Sequence, residues 1–88
     1  MQDIVVYTKS TCGYCNAAKD LLRQKQAAFT EISVDGDAQA QRAMAERSGN
    51  RRTVPQIFIG KTHVGGCDDL YALEQRGALD PLLDGAAR

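Results

Sequence analysis

The chain predicts an α/β domain: a four-stranded mixed sheet with helices on both faces, in the order βαβαββα plus a short C-terminal helix. Three observations carry that prediction. Short apolar, β-rich runs alternate with helix-period segments. The first two runs flank a helical pattern, so a crossover joins them and they lie parallel. The last two runs are separated only by Gly60-Lys61, which reads as the turn of an antiparallel hairpin.

Each element has its own signal. Ile4 to Tyr7 is a short buried strand. A helix follows from about Gly13 to Gln26, with Cys15, Ala18, Leu22 and Lys25 near one stripe and Leu21 beside it. Phe29, Ile32 and Val34 form the second strand-like run, closed by Asp35-Gly36-Asp37. Asp37 is placed to N-cap an Ala- and Gln-rich helix to about Arg47, which Ser48-Gly49-Asn50 stops. After Pro55 come a third strand, Ile57-Phe58-Ile59, and a short fourth, Thr62-His63-Val64, broken by Gly65-Gly66. Cys67 or Asp68 opens a third helix ending near Arg76-Gly77, and Leu79 to Leu83 forms a last short helix with Pro81 in its first turn. Residues 1–84 read as a single domain, and Gly85-Ala86-Ala87-Arg88 as a flexible tail. Tyr7, Phe29, Phe58 and Tyr71 are expected in the core or at its edge, and His63 at the surface or a sheet edge.

Composition narrows the function. Eleven basic and eleven acidic residues leave no global basic field, so nucleic acid is not an implied partner. No apolar stretch approaches the roughly 20 residues that span a bilayer. The acidic start, Met1-Gln2-Asp3, lacks the basic and long apolar regions of a signal peptide. Three cysteines are an odd number and do not suggest a secreted disulfide scaffold, so a reducing cytoplasm is the expected setting.

The chemistry centres on Thr11-Cys12-Gly13-Tyr14-Cys15. Two thiols three residues apart meet on one helical turn and can close and reopen a small disulfide. At a helix start, backbone N–H groups favour the Cys12 thiolate, leaving Cys15 as the resolving partner. A structural zinc site would need two further ligands, and only His63 and Cys67 remain, at a spacing that fits no common zinc pattern. C-x-x-C beside a βαβ pattern therefore reads as a redox pair.

Four stretches in order, Tyr7-Thr8-Lys9, Cys12-Gly13-Tyr14-Cys15, Thr53-Val54-Pro55-Gln56 and Gly65-Gly66-Cys67-Asp68-Asp69, make the chain resemble the glutaredoxins, specifically the small bacterial dithiol type. The resemblance covers essentially the whole chain. It implies a thioredoxin fold and glutathione-dependent reduction of disulfides and glutathione mixed disulfides, with roles in electron transport and cell redox homeostasis. It implies a cis Pro55 facing the nucleophile, with Thr53 beside it and Val54 offering its backbone to the cysteinyl part of glutathione, a two-bond version of strand addition. Gly66, Cys67 and Asp68 then meet the α-carboxylate and α-amine of the γ-glutamyl group, for which glycine permits close approach and a helix start supplies donors. Lys9 answers the glycine carboxylate, and its charge also favours the Cys12 thiolate. A residue of the second helix meets the same carboxylate. Counting back from Thr53 gives Arg42, the favoured residue, and aligning on Met44 gives Gln41. Tyr14 flanks the ligand, and Cys67 contributes backbone rather than a nucleophile.

The expected partners are glutathione and glutathionylated or disulfide-containing proteins, with the chain a monomer. The alternative is a [2Fe–2S] cluster held between two protomers by the two Cys12 thiolates and two glutathiones. It is prompted by Gly13, which stands where dithiol glutaredoxins commonly carry proline. A thioredoxin-like carrier served by a flavoenzyme is the third reading, and the absence of a Trp-Cys-Gly-Pro-Cys motif counts against it.

Overall fold

The computed structural model describes residues 2–85. The elements are β1 (Ile4–Thr8), α1 (Gly13–Gln24), β2 (Thr30–Ser33), α2 (Ala38–Arg47), β3 (Gln56–Ile59), β4 (Thr62–Gly65), α3 (Cys67–Gln75) and α4 (Leu79–Leu83). The sheet runs β2-β1-β3-β4. β1 and β2 are parallel, as a crossover through α1 requires, while β3 pairs antiparallel with both β1 and β4. This is the thioredoxin fold with an added terminal helix. Among the described residues no helix is long and apolar enough to cross a membrane.

Alternation along the central strands distributes side chains to two cores. Ile4 and Val6 of β1 and Ile57 and Ile59 of β3 face Ala18, Leu21 and Leu22 of α1, Leu70 of α3 and Leu79 and Leu83 of α4. Tyr7 and Phe58 point the other way, onto Val34 and Met44 under α2. Burying a leucine such as Leu22 or Leu70 contributes about 1.5–3 kcal/mol, so the larger core carries most of the stability. The two aromatic rings meet edge to face, with centroids 5.8 Å apart.

The ends of the elements depart slightly from the expectation. α1 stops at Gln24 rather than Gln26, because Gln26 adopts φ 55°. The N–H of Gln26 then reaches Arg23 O and that of Ala27 reaches Leu22 O, the pair of bonds that closes a Schellman turn. Lys25, assigned to the apolar stripe, instead bridges Glu74 Oε1 at 2.7 Å and Asp80 Oδ1 at 3.0 Å, and so ties the end of α1 to α3 and α4. Asp37 caps α2 as expected, accepting from the Ala40 N–H at 3.0 Å. Tyr71 is not a core residue: its ring is exposed, and its hydroxyl donates to Ala17 O at 3.3 Å. His63 lies on the edge strand β4, as expected, half-buried and stacked on Phe58. Gly85 is half-buried, its N–H donating to Leu82 O at 3.1 Å, and residues 86–88 of the expected tail lie outside the described residues.

Candidate active site

The site forms where β1, the Val54-Pro55 turn and the starts of α1 and α3 converge. Cys12 is the N-cap of α1, with extended backbone (φ −117°, ψ 107°). Its sulfur does what a Ser or Asp oxygen usually does at this position and accepts the Cys15 N–H at 3.1 Å. Unlike a hydroxyl cap, the sulfur is half-exposed at a helix start, where a thiol is chemically accessible. On its other side Cys12 Sγ lies 3.8 Å from Val54 O, to which a thiol donates. The Val54-Pro55 peptide is cis.

The second thiol is different in kind. Cys15 is fully buried. Burial and the hydrogen bond to the Cys12 sulfur push its pKa up to about 12, against a smaller pull from the Lys9 N–H. Cys15 is therefore a protonated reserve behind an accessible Cys12. Cys67, at the first position of α3, is also buried, and burial and then the Asp68 charge raise its pKa as well. Of the three thiols only Cys12 is even partly open to solvent.

A groove of about 170 Å³ runs beside Cys12. Tyr14 of α1, Thr53 to Pro55 and Gly66 to Asp69 line it, joined by Arg51. The Tyr14 ring is 69% exposed, so it forms a wall rather than part of the core. A second hollow of about 180 Å³ gathers Lys9, Val34, Gln41, Met44 and Arg52. Larger concavities around Gln2 and Asp3 carry no thiol and are not candidates. The loop bearing Lys9 is pinned by Ser10, whose N–H donates to Asp35 Oδ2 at 2.6 Å; the Ser10 hydroxyl and then this N–H hold that carboxyl below its ordinary range.

The expected residues are mostly brought together. Tyr14, Thr53, Val54, Pro55, Gly66, Cys67 and Asp68 line the first groove, Cys12 Sγ approaches it at Val54 O, and Lys9 stands at the second hollow. Arg42 is exposed on α2 and lines neither, whereas Gln41, one residue earlier, lines the second hollow and donates to Val34 O at 2.9 Å. α3 opens at Cys67, as expected, with Gly66 as its N-cap, and the Asp69 carboxylate reaches back to accept the Gly66 N–H at 2.9 Å. Asp68 stays exposed at the groove, and the first-turn N–H groups of Cys67, Asp68 and Asp69 lack intrahelical acceptors, as at any helix start. Arg51 and Arg52 read from sequence as loop charges, yet each lines one of the two depressions, and Arg51 Nη1 lies 3.9 Å from Asp69 Oδ2. Their place next to the Thr-Val-Pro stretch is the only sequence signal that points to them.

Among the described residues no group of three or more His, Cys, Asp or Glu side chains converges on a metal position. Of the three thiols, Cys12 is the accessible one. The site thus supplies a half-exposed sulfur, a buried thiol beside it, a strip of backbone opposite, and charged groups at both ends.

Comparison with known proteins gives a consistent picture. The glutaredoxin family profile matches residues 4–64. Glutaredoxin 3 of Escherichia coli K12 is 57% identical over 83 residues, spanning 94% of this chain and 99% of that protein. The solution structure of a Brucella melitensis glutaredoxin superposes with a TM-score of 0.85 at 52% identity, covering all of this chain and 94% of the other. A buckwheat glutaredoxin–glutathione complex gives a TM-score of 0.85 at 36% identity, covering 97% and 79%.

Proposed function

The chain belongs to the glutaredoxin family of thiol–disulfide oxidoreductases, and from that premise we propose that it reduces glutathione mixed disulfides through Cys12 alone and protein disulfides through Cys12 and Cys15 together. The observation that carries this reading is the contrast between the two thiols: Cys12 half-exposed at a helix start, Cys15 buried with its pKa pushed up to about 12.

In the first route the Cys12 thiolate attacks the glutathione sulfur of a mixed disulfide. The substrate leaves as a thiolate and takes a proton, and Cys12 carries the glutathionyl group. A second glutathione thiolate attacks that sulfur, giving glutathione disulfide and free Cys12. In the second route Cys12 attacks a protein disulfide, and Cys15 loses its proton to displace the protein thiol. Two glutathiones then reduce the Cys12–Cys15 bond. Family potentials of roughly −200 to −230 mV let a glutathione pool drive both.

The groove fits glutathione in extended form. Val54 presents backbone to the cysteinyl residue, and Cys67 and Asp68 at the start of α3 meet the γ-glutamyl carboxylate and ammonium. Lys9 meets the glycine carboxylate from the second hollow. The contacts of that hollow favour Gln41 over Arg42 as its helper.

The test is turnover of a glutathionylated peptide and of a protein disulfide with glutathione as reductant. Cys12→Ser is expected to abolish both, and Cys15→Ser to lose only the second. A Cys15→Ser protein inactive on the glutathionylated peptide refutes the division of labour.

A [2Fe–2S] cluster is the second reading. One accessible thiolate per chain means that a second copy and two glutathiones would have to complete the ligand set. Gly13 is compatible with it but not specific, since a Cβ there would meet nothing within 4 Å. Anaerobic reconstitution with iron, sulfide and glutathione separates the readings: a coloured dimer supports the cluster, a colourless monomer the oxidoreductase alone.

A further inference from the structure

The Thr53-Val54-Pro55 turn is held from within by a hydrogen-bonded chain that the thiol chemistry does not use. Gln56, the first residue of β3, is fully buried. Its Nε2 lies 3.0 Å from Thr53 O and 3.2 Å from Thr53 Oγ1, and its Oε1 lies 2.7 Å from His63 Nε2. The direction of every bond follows from the groups involved. A carbonyl only accepts, so the amide nitrogen must face Thr53 O. Oε1 then faces His63, and the imidazole must carry a proton on Nε2 to complete the contact. Thr53 Oγ1 already accepts from Gln56, so its own proton points elsewhere. Thr53 is exposed and lines the groove. The imidazole is itself fixed, stacked on Phe58 at 4.8 Å and 24°, with the Arg47 guanidinium 4.3 Å from the centre of that ring.

We propose that Gln56 and His63 are positioning residues that aim the Thr53 hydroxyl into the groove as a hydrogen-bond donor to the peptide part of the bound thiol ligand. The chain runs His63 N–H to Gln56 C=O, Gln56 N–H to Thr53 Oγ1, and Thr53 O–H to a ligand carbonyl or carboxylate, each bond polarising the next. It rests on the reading that this groove takes glutathione, and it adds a residue on β4 that never touches the ligand.

A double-mutant cycle tests it. His63→Phe keeps the stack and removes the donor; Thr53→Val removes the hydroxyl. KM and kcat are measured with a glutathionylated peptide and with the same peptide cysteinylated, which carries the disulfide without the glutamyl and glycyl arms. His63→Phe is expected to raise KM for the glutathionylated peptide about two- to tenfold, the worth of one neutral hydrogen bond, with kcat little changed. In the Thr53→Val background the same change should have almost no effect, and the cysteinylated peptide should register neither. Gln56→Glu, which accepts from His63 and cannot donate to Thr53, should reproduce the KM increase; if it fails to fold, the cycle decides alone. Additive effects, equal losses on both peptides, or an unchanged KM overturn the proposal while leaving the oxidoreductase reading intact. A wild-type protein inactive on the glutathionylated peptide overturns both.

Discussion

Two adjacent glycines at the end of β4 are predicted to respond unequally to alanine. Gly65 has φ 114°, a region closed to residues with a Cβ, and a Cβ built there collides with Asp69 Oδ2, lies 2.9 Å from Asp69 Cγ and sits 3.1 Å from Arg51 Nη1. Gly66 has φ −94°, and its nearest neighbours would be Pro55 O at 3.6 Å and Asp69 Oδ2 at 4.0 Å, ordinary contacts. Gly65→Ala therefore meets two costs. Holding alanine at the unfavourable φ costs about 1–3 kcal/mol, and moving the Asp69 carboxylate off the Gly66 N–H forfeits a helix cap worth about 1 kcal/mol. The sum is about 2–4 kcal/mol, which for a domain of this size lowers Tm by roughly 10–25 °C. Gly66→Ala should stay within about 1 kcal/mol of wild type, the ordinary cost of a tolerated surface-proximal change. Thermal unfolding followed by circular dichroism measures both. A Gly65→Ala, Asp69→Ala double variant sharpens the test: with the carboxylate gone the collision is relieved, so its loss should be smaller than the sum of the single losses. Equal destabilisation at the two glycines, or strict additivity with Asp69→Ala, refutes the reasoning.

Other consequences are direct. Glu31 is held below its ordinary pKa of 4.5, first by the Thr8 hydroxyl at 2.7 Å and then by Lys19 at 3.0 Å. A depressed carboxyl stabilises the fold above its unfolded pKa, so Glu31→Gln should be less stable than wild type at pH 7, and urea titrations should show the gap closing as pH falls below 4.5. Cys67 is buried with a raised pKa, so iodoacetamide should label Cys12 much faster, and Cys67→Ser should keep both activities. Gln41→Ala should raise the KM for glutathione about two- to tenfold, as loss of one hydrogen bond would, whereas Arg42→Ala should leave it nearly unchanged.

Sequence and structure agree most where a signal is local and periodic. The alternation of Ile4, Val6, Ile57 and Ile59 against Tyr7 and Phe58 defines both faces of the sheet, and Asp37 caps its helix by a rule that needs only neighbouring residues. The redox pair is legible because helix geometry alone brings Cys12 and Cys15 together. The start of α3 at Cys67 is legible from the Gly65-Gly66 break, but its cap is not: Asp69 accepts the Gly66 N–H beside Gly65, whose φ is 114°. A φ angle leaves no trace in composition. Arg51 reads as a solvated charge because its groove is assembled from segments distant in the chain. The pairing of His63 with Gln56 carries no signal for the same reason: a histidine seven residues beyond a glutamine acquires meaning only when the β3–β4 hairpin folds one over the other.

The central claim is that Cys12 is the nucleophile and that the groove beside it selects the glutathione half of a mixed disulfide. Mass spectrometry of the Cys15→Ser protein after brief mixing with a glutathionylated peptide tests this most directly. A single glutathionyl adduct on Cys12, with the peptide released as a free thiol, is the predicted result. An adduct carrying the peptide, or one located on Cys67, would contradict it.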